Sequence, residues 1–416
     1  MPEVTPGRRS ELRTTLLFFA AAALVALSPL LYLSLVARTL GAAGFSDLAI
    51  GQSVGAAAAV VVGLGWAFTG PVAVAGASAA ERPRILARAL ATQVWVAAAL
   101  TVPAVALVWA LAGTYPVGAA LGAVATMLIG VTPIWYFIGL GRGTWNVVFD
   151  ALPKVASALV GGVLVVVTEQ LWPLPLCQAA ASAVSYVLLV RRAGVTGLRA
   201  ALAPREVRAV LRDQTSFSVA QVASTVYLNL PVTILAATGA AGVATFAAAD
   251  RVMRLAVAGS LPVTQSFQSW VARGAGDLRR IRTSLVAHTA LGLAGGVVLV
   301  SALPWLQSLL FDDRVRIGTP VVLLFAGVFL VGMLTRAIGV VALPALGDRS
   351  AVRVSACVGA LVAVPAMVVL GREHGAAGGA AGVLLAEVTV LAVQAVALLR
   401  RTAAARRSGP AVSQVP

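Results

Sequence analysis

Apolar runs of about twenty residues, the length of helix that crosses a bilayer, recur along the whole chain. A membrane-spanning β-strand needs only about half that length. Because lipid offers the backbone no hydrogen-bond partners, only helices or closed barrels can span it, and these runs are too long for barrel strands. The runs therefore predict an all-α integral membrane protein.

The low charge content supports this prediction. Charged residues make up 11% of the 416 residues, whereas soluble domains carry about 25%. Cys177 and Cys357 lie in apolar runs without a paired spacing, which indicates neither a disulfide nor a metal site, and no cofactor is expected.

Twelve transmembrane helices are expected, in two six-helix lobes. The N-lobe spans are 15–37, 48–68, 89–112, 117–140, 151–168 and 172–191, and the C-lobe spans are 214–237, 243–271, 284–310, 318–342, 351–370 and 378–399. The predicted organisation is an N-terminal segment, the N-lobe, a linker, the C-lobe and a tail, at 1–14, 15–191, 192–213, 214–400 and 401–416.

A repeated tetrapeptide relates the two lobes. Gly41-Ala42-Ala43-Gly44 follows the first span, and Gly239-Ala240-Ala241-Gly242 follows the seventh. These matching positions indicate an internal repeat. Since each lobe has an even number of spans, the repeat is predicted to be parallel, as in some transporters.

Basic residues are distributed unevenly between the two sides. With the N-terminus inside, most of the 31 lysines and arginines fall in inner loops and termini, and the outer loops hold Arg38, Arg314, Arg316 and Arg372. Cytoplasmic loops show this excess, so we expect a cytoplasmic membrane protein with both termini, and the linker, in the cytoplasm. The net charge of +16 then indicates loops that face anionic membrane lipids, and no nucleic-acid partner is expected.

Charged residues inside the spans are the candidates for function. Asp250, Arg251 and Arg254 cluster in the eighth span, with Asp250 about 12 Å along the helix from Gly242. A charge at this depth costs about 2.5–3.5 kcal/mol on insertion scales, so lipid cannot host the group. Two interpretations stay open: an ion pair that holds helices together, or an anion-binding surface with a net charge of +1.

Further polar residues complete the candidate set. Snorkelling to the interface and substrate contact both explain Arg336, toward the inner end of the tenth span. Glu387, near the middle of the last span, is either a proton or ion site or the partner of a buried arginine. Arg38 ends the first span, and Asn229 in the seventh serves packing or substrate contact. The substrate-binding candidates are Arg251, Arg254, Arg38, Arg336 and Asn229, and the ion-coupling candidates are Asp250 and Glu387.

Small and aromatic residues carry structural predictions. Gly51-x3-Gly55 and Gly378-x3-Gly382 have the spacing that brings membrane helices into close contact. Trp135 lies near a predicted inner end, where interfacial anchoring is expected.

No catalytic residues are assigned. The chain has no phosphate-binding glycine loop, and its spacings show no nucleophile and base pair. The outer loops are too short for a catalytic domain.

Five stretches, in order along nearly the whole chain, match a known pattern. They are Ala37–Phe45, Trp135–Gly141, Gly242–Arg251, Leu346–Asp348 and Gly375–Gly382. Together they resemble bacterial polysaccharide flippases of the multidrug/oligosaccharidyl-lipid/polysaccharide (MOP) exporter superfamily.

The resemblance implies two lobes around a central cavity that work by alternating access. It implies that a polyprenyl-pyrophosphate-linked oligosaccharide is flipped across the membrane for cell-surface polysaccharide biosynthesis. A polysaccharide polymerase and glycosyltransferases would then be partners. Arg251 and Arg254 would hold the pyrophosphate or an acidic sugar. Asn229 stands where many relatives carry an acidic residue, which leaves a shared cation site in doubt.

Two alternatives remain. A cation-coupled multidrug antiporter would need a net acidic cavity, which the net positive group in the eighth span opposes. A membrane enzyme of surface-glycan assembly would need an acid or nucleophile pair at an outer loop, where Asp312-Asp313 is the one acidic cluster.

Overall fold

The computed structural model describes residues 8–141, 145, 147–214, 229–274, 277–312 and 314–407. Every regular element in these ranges is helical, which confirms the all-α prediction. The α-helices are α1 (Arg8–Gly63), α2 (Trp66–Gly76), α3 (Arg82–Leu111), α4 (Pro116–Met127), α5 (Ile134–Gly139), α6 (Leu152–Thr168), α7 (Pro173–Ala193), α8 (Leu198–Ala201), α9 (204–214), α10 (Pro231–Ala237), α11 (Val243–Ala272), α12 (Leu278–Phe311), α13 (Thr319–Thr335), α14 (Leu343–Ala345) and α15 (Arg349–Arg407).

Three tighter or wider helical turns interrupt this pattern. A 3₁₀ turn, Leu128–Val131, divides the predicted fourth span between α4 and α5. A π-helical segment, Val147–Ala151, precedes α6, and a second one, Arg336–Ala342, continues α13.

Eight helical segments among the described residues are long and apolar enough to cross a membrane. Ser350–Ala403 covers the last two predicted spans, and Tyr32–Gly76 covers the second predicted span and the end of the first. The predicted eighth span is the 30-residue helix α11, which carries three charges. The multi-pass helical fold is therefore confirmed, although 215–228, most of the predicted seventh span, lie outside the described residues.

Three corners with the sequence Gly-Ala-Ala-Gly, starting at Gly41, Gly239 and Gly375, join consecutive spans. The first glycine of each has a positive φ, of 66°, 69° and 56° respectively. Glycine adopts this left-handed conformation at little steric cost. The chain reverses direction at the Gly41 corner within α1 and at the Gly375 corner within α15. Hydrogen bonds between side chains on either side of each corner show this: Gln52 Nε2 donates to Tyr32 Oη over 3.0 Å, and Gln394 Nε2 donates to Ser355 Oγ over 3.1 Å.

The chain divides into two compact units, and the first contains residues 1–233 with 309–315. In this unit α1 packs closely on α4, because Gly51 and Gly55 leave room for the backbone of Ala119 and Ala123. The close packing predicted for this glycine pair is confirmed. The predicted lobe boundaries stay predictions.

Trp135 is not an interfacial anchor. Its side chain is only 3% exposed, and its ring stacks on Trp66 with 5.2 Å between centroids. Gly70 faces the same ring without a side chain of its own. The prediction of an interfacial position was wrong because the turn Leu128–Val131 redirects the chain, so that α5 packs on α2 inside the unit.

The second unit contains residues 234–308 with 316–416. Gly378 and Gly382 bring the two halves of α15 together, and a Cβ at Gly382 would lie 2.8 Å from the backbone nitrogen of Met367. The close packing predicted for this pair is also confirmed.

Asp348 closes the other end of this helix pair. Its Oδ1 accepts hydrogen bonds from the backbone N–H of Ala351 and from Ser350 Oγ, at 3.1 and 2.8 Å, which caps the start of α15. Its Oδ2 accepts from Arg401 Nε at 2.8 Å. The hydrogen bond from Arg401 is the largest cause that lowers the pKa of the Asp348 carboxyl from 3.8 to about 2.

Asp348→Asn is expected to lower the melting temperature of the purified protein in a pH-dependent way. Because the native pKa lies below the ordinary value, the ionised carboxylate stabilises the fold above about pH 4, and this contribution is lost as the pH falls toward 2. Melting curves of wild type and variant in detergent should therefore differ at pH 7 and converge as the pH falls to about 2. A constant difference across this range would contradict the assignment.

Candidate functional site

The three charges of α11 are an ion pair, Asp250 with Arg254, and a further arginine, Arg251. Arg254 Nε lies 2.6 Å from Asp250 Oδ2, one helical turn apart on the same face. The Asp250 side chain is 9% exposed, whereas that of Arg254 is 39% exposed, and Arg251 is half-buried. The pair is therefore formed but not sealed within its unit. At this depth the exposed part of Arg254 requires water or a polar ligand, because lipid does not solvate it.

An aromatic contact and a shared aliphatic cluster show how α11 is aligned with α13. Phe246 meets Phe325 near the start of both helices, with 5.3 Å between ring centroids. Val271 and Val341 belong to one buried cluster farther along, so the two elements run side by side in the same direction. Arg254 lies about 12 Å beyond Phe246, and Arg336 about 16 Å beyond Phe325, at about 1.5 Å per residue. The two arginines thus lie at similar depths.

Glu387 reaches the same level from α15. Thr335 Oγ1 donates to Glu387 Oε2 over 3.4 Å, and the positive charge of Arg336 acts on this carboxylate. The second unit therefore places five of the predicted site residues at a similar depth. We call them the ionic cluster: Asp250, Arg251, Arg254, Arg336 and Glu387. The ionic cluster has a formal net charge of +1, which suits an anion.

A π-helical segment begins within the ionic cluster, at Arg336. Short π-helical turns are uncommon and often occur at functional sites. The wider turn changes the direction of the side chains that follow it, which the hydropathy pattern alone does not predict.

The other two predicted site residues, Arg38 and Asn229, belong to the first unit. Arg38 Nη2 donates to the carbonyl of Leu309, an acceptor near the end of α12. The carbonyl of Asn229 accepts from Ser53 Oγ at 2.6 Å, and Thr233 Oγ1 donates to Ser53 Oγ over 2.8 Å. These contacts use one nitrogen of the Arg38 guanidinium and the backbone carbonyl of Asn229, and a role in substrate binding stays a prediction for both.

Sequence reasoning missed a mainly apolar cavity in the first unit that has a few polar side chains in its lining. A cavity of about 290 Å³ is lined by residues that include Gln93, Thr132 and Trp135. Within the described part of the chain, Gln93 Oε1 and Trp135 Nε1 are buried and have no hydrogen-bond partner. The one available signal was an uncharged amide in the apolar third span.

A buried aspartate was also missed. Asp47 accepts hydrogen bonds from the backbone N–H groups of Gly113 and Tyr115, at 2.9 and 2.6 Å. These donors belong to the turn between α3 and α4, so the buried carboxylate has a structural role.

Both ring nitrogens of His288 have hydrogen-bond partners. In the second unit its Nδ1 lies 2.8 Å from the carbonyl of Ser284, and its Nε2 lies 3.2 Å from Thr264 Oγ1. A neutral imidazole that donates from Nδ1 and accepts at Nε2 satisfies both contacts. Among the described residues, no group of three or more His, Cys, Asp or Glu side chains is placed to hold a metal ion.

Comparisons with known proteins agree with this architecture. A family model described as "Polysaccharide biosynthesis protein" matches residues 12–267. A search of the curated proteins finds no match.

Several solved structures share the fold. The lipid II flippase MurJ, in an inward closed conformation, superposes with a TM-score of 0.67 and 12% identity, over 92% of this chain and 87% of that one. An inward-facing multidrug resistance MATE family transporter of the MOP superfamily gives 0.59 and 15%, over 93% and 96%. A MOP superfamily transporter from Pyrococcus furiosus gives 0.52 and 13%, over 94% and 93%. The chain therefore belongs to the polysaccharide biosynthesis protein family and has the fold of MOP superfamily transporters.

Proposed function

We propose that this protein flips a polyprenyl-pyrophosphate-linked oligosaccharide from the cytoplasmic to the outer leaflet of the cytoplasmic membrane, by alternating access, for cell-surface polysaccharide biosynthesis. The observation that carries the proposal is the net positive ionic cluster in the predicted spans, in which Asp250 is buried and Arg254 remains partly exposed. Membership of the polysaccharide biosynthesis family and the likeness to a lipid II flippase support a lipid-linked substrate.

Such a protein must lower the free-energy cost of moving a polar sugar chain through the hydrocarbon of the membrane. Each hydroxyl costs several kcal/mol, about 4–8, when it enters hydrocarbon without a hydrogen-bond partner. A polar passage removes that cost for the headgroup while the prenyl tail stays in lipid. Arg251, Arg254 and Arg336 would bind the pyrophosphate through charge-assisted hydrogen bonds, with Arg38 and Asn229 as further substrate contacts and Asp250 and Glu387 as ion-coupling groups.

A reconstituted system tests the proposal directly. Liposomes are prepared with a fluorescent polyprenyl-pyrophosphate oligosaccharide in both leaflets, and a membrane-impermeant reductant bleaches the outer leaflet. With active protein, bleaching should proceed to completion, whereas protein-free liposomes should stop near half. If protein-containing liposomes also stop near half with every oligosaccharide tried, the proposal is wrong.

The two alternatives give different outcomes in the same preparation. A multidrug antiporter would move cationic dyes against an ion gradient, and we expect no such movement because the ionic cluster repels cations. A glycan-assembling enzyme that uses the outer acidic pair would lose activity in the double variant Asp312→Asn/Asp313→Asn. We expect this variant to flip lipid at the wild-type rate.

Glu387→Gln is expected to uncouple transport from a proton gradient. A carboxylate can take up and release a proton during the cycle, whereas an amide of the same size cannot. Flipping by wild type should therefore speed up when a pH gradient is imposed, and flipping by the variant should be independent of it. Glu373→Gln is the matched control, because Glu373 lies exposed on the same helix α15. A full gradient response in Glu387→Gln would assign Glu387 to pairing with Arg336 alone.

A further inference from the structure

A groove of about 620 Å³ lies in the second unit between the two halves of α15. One wall carries Ala351 and Val354, and the other carries Val393, Val396 and Ala397. Val354 and Val396 are 54% and 47% exposed. The groove is therefore an apolar valley open to the surroundings of the unit, and we call it the terminal groove.

Helical spacing places a positive charge at the end of the terminal groove. Val396, Ala397 and Arg400 lie three, four and seven residues after Val393, so all four share one face of the helix. Arg400 is exposed and lines the groove about 10 Å from Val393 at about 1.5 Å per residue. Arg401 also lines the groove but is engaged by Asp348.

The terminal groove is apolar over about one and a half helical turns and ends at an exposed arginine. This arrangement matches the chemistry of a phospholipid. A phospholipid places its acyl chain beside apolar side chains and its phosphate at the level of basic residues near the end of a span. The sequence adds Arg406 and Arg407 just beyond Arg400 and Arg401, and such clusters at the end of a membrane helix attract anionic headgroups.

We propose that the terminal groove is a binding site for an anionic phospholipid, with the acyl chain between the walls and the phosphate at Arg400. The site lies at the ends of the last two spans, apart from the ionic cluster. It does not depend on the proposed transport function, and either proposal can fail without the other.

Native mass spectrometry of the full chain in detergent tests the site. Phosphatidylglycerol and phosphatidylcholine with identical acyl chains are titrated against the protein. We expect phosphatidylglycerol to bind with a roughly fivefold lower apparent Kd, the contribution of about one arginine near an anionic headgroup. Arg400→Ala should remove this preference, and Val396→Trp should weaken the binding of both lipids because the indole fills the groove.

Arg372→Ala is the matched control, because Arg372 is an exposed arginine of the same helix near the Gly375 corner. This variant should keep the preference for phosphatidylglycerol, and lipid-free melting curves should show all three variants folded. Equal affinity for the two lipids in wild type, or an unchanged preference in Arg400→Ala, would overturn the proposal. Displacement of the lipid by an equal concentration of glycerol 3-phosphate would show instead a site for a free anion.

Discussion

Arg254→Ala is expected to reduce lipid-linked oligosaccharide flipping at least roughly 100-fold while the protein remains in the membrane. The variant removes the exposed cation of the ionic cluster, and the buried Asp250 carboxylate loses Arg254 as its partner. Truncating one partner of a desolvated charge pair between a protein and its ligand costs about 2–5 kcal/mol, and about 2.7 kcal/mol corresponds to this loss in rate. The measurement is the initial rate of bleaching in the liposome assay, normalised to the amount of reconstituted protein.

A double variant separates binding from structural pairing. Asp250→Ala/Arg254→Ala removes both charges, and loss of a whole buried pair is often tolerated by the fold. If Arg254 only neutralises Asp250, the double variant should recover transport. If Arg254 binds the anionic substrate, stability should recover and transport should stay lost, which is the result we expect.

Arg273→Ala is the matched control for these variants. Arg273 is an exposed arginine at the end of the same helix α11. Its loss should leave the rate of flipping near that of wild type. Normal flipping by Arg254→Ala itself would remove the role of the ionic cluster in anion binding.

Gly51→Leu is expected to prevent folding of the first unit. A side chain at this position would collide with the backbone carbonyl of Ala119 on α4, and a backbone atom within a packed helix cannot move aside as the tip of a side chain can. Overpacking costs about 1–3 kcal/mol when neighbours can adjust, and here the cost should be at the upper end or above it. Fluorescence-detected size-exclusion chromatography should show little monodisperse protein.

A pair of alanine variants on one helix isolates the steric effect. Gly51→Ala should also lower the yield and the melting temperature, whereas Gly63→Ala should be tolerated. Both glycines belong to α1, but a Cβ at Gly63 would meet only the carbonyl oxygen of Gly130, at an ordinary 3.9 Å. Similar behaviour of the two variants would mean that α1 and α4 do not pack as closely as the structure shows.

The membrane fold could be predicted because hydropathy and helix length are local properties of the sequence. The spans around α3, α6, α7 and α12 needed no knowledge of neighbouring helices. The break at Leu128–Val131 was different, since no single residue type announces a 3₁₀ turn, and the wrong placement of Trp135 followed from it.

The members of the ionic cluster were predicted one at a time, because a charge in an apolar span is visible from sequence alone. Their assembly at one depth depends on how α11, α13 and α15 align. That alignment is set by contacts such as Phe246 with Phe325, between residues far apart in the chain. The link from Thr335 to Glu387 likewise spans 52 positions. Spacing within one helix predicted the Asp250 and Arg254 pair, since both lie on a single turn.

Buried polar residues with structural roles were the hardest to predict. The partners of Asp47 are backbone groups of a distant turn, and Thr264 approaches His288 from another helix. Gln93 is a single amide among apolar neighbours. None of these residues forms a sequence pattern, so their roles become visible only when the helices are assembled.

The last two spans are fastened at three levels, by the Gly375 corner, by Gln394 with Ser355 and by Asp348 with Arg401. Two helices that are linked at both ends and in between do not separate or slide easily, so the last two spans are expected to move as one rigid body. Bending within the second unit is then expected in its other helices. Among the described residues there, Pro262 in α11, Pro304 in α12 and the π-helical segment that starts at Arg336 interrupt regular α-helix. The first and the last of these lie in the elements that carry the arginines, so bending at either would reposition those cations while the last two spans keep their shape.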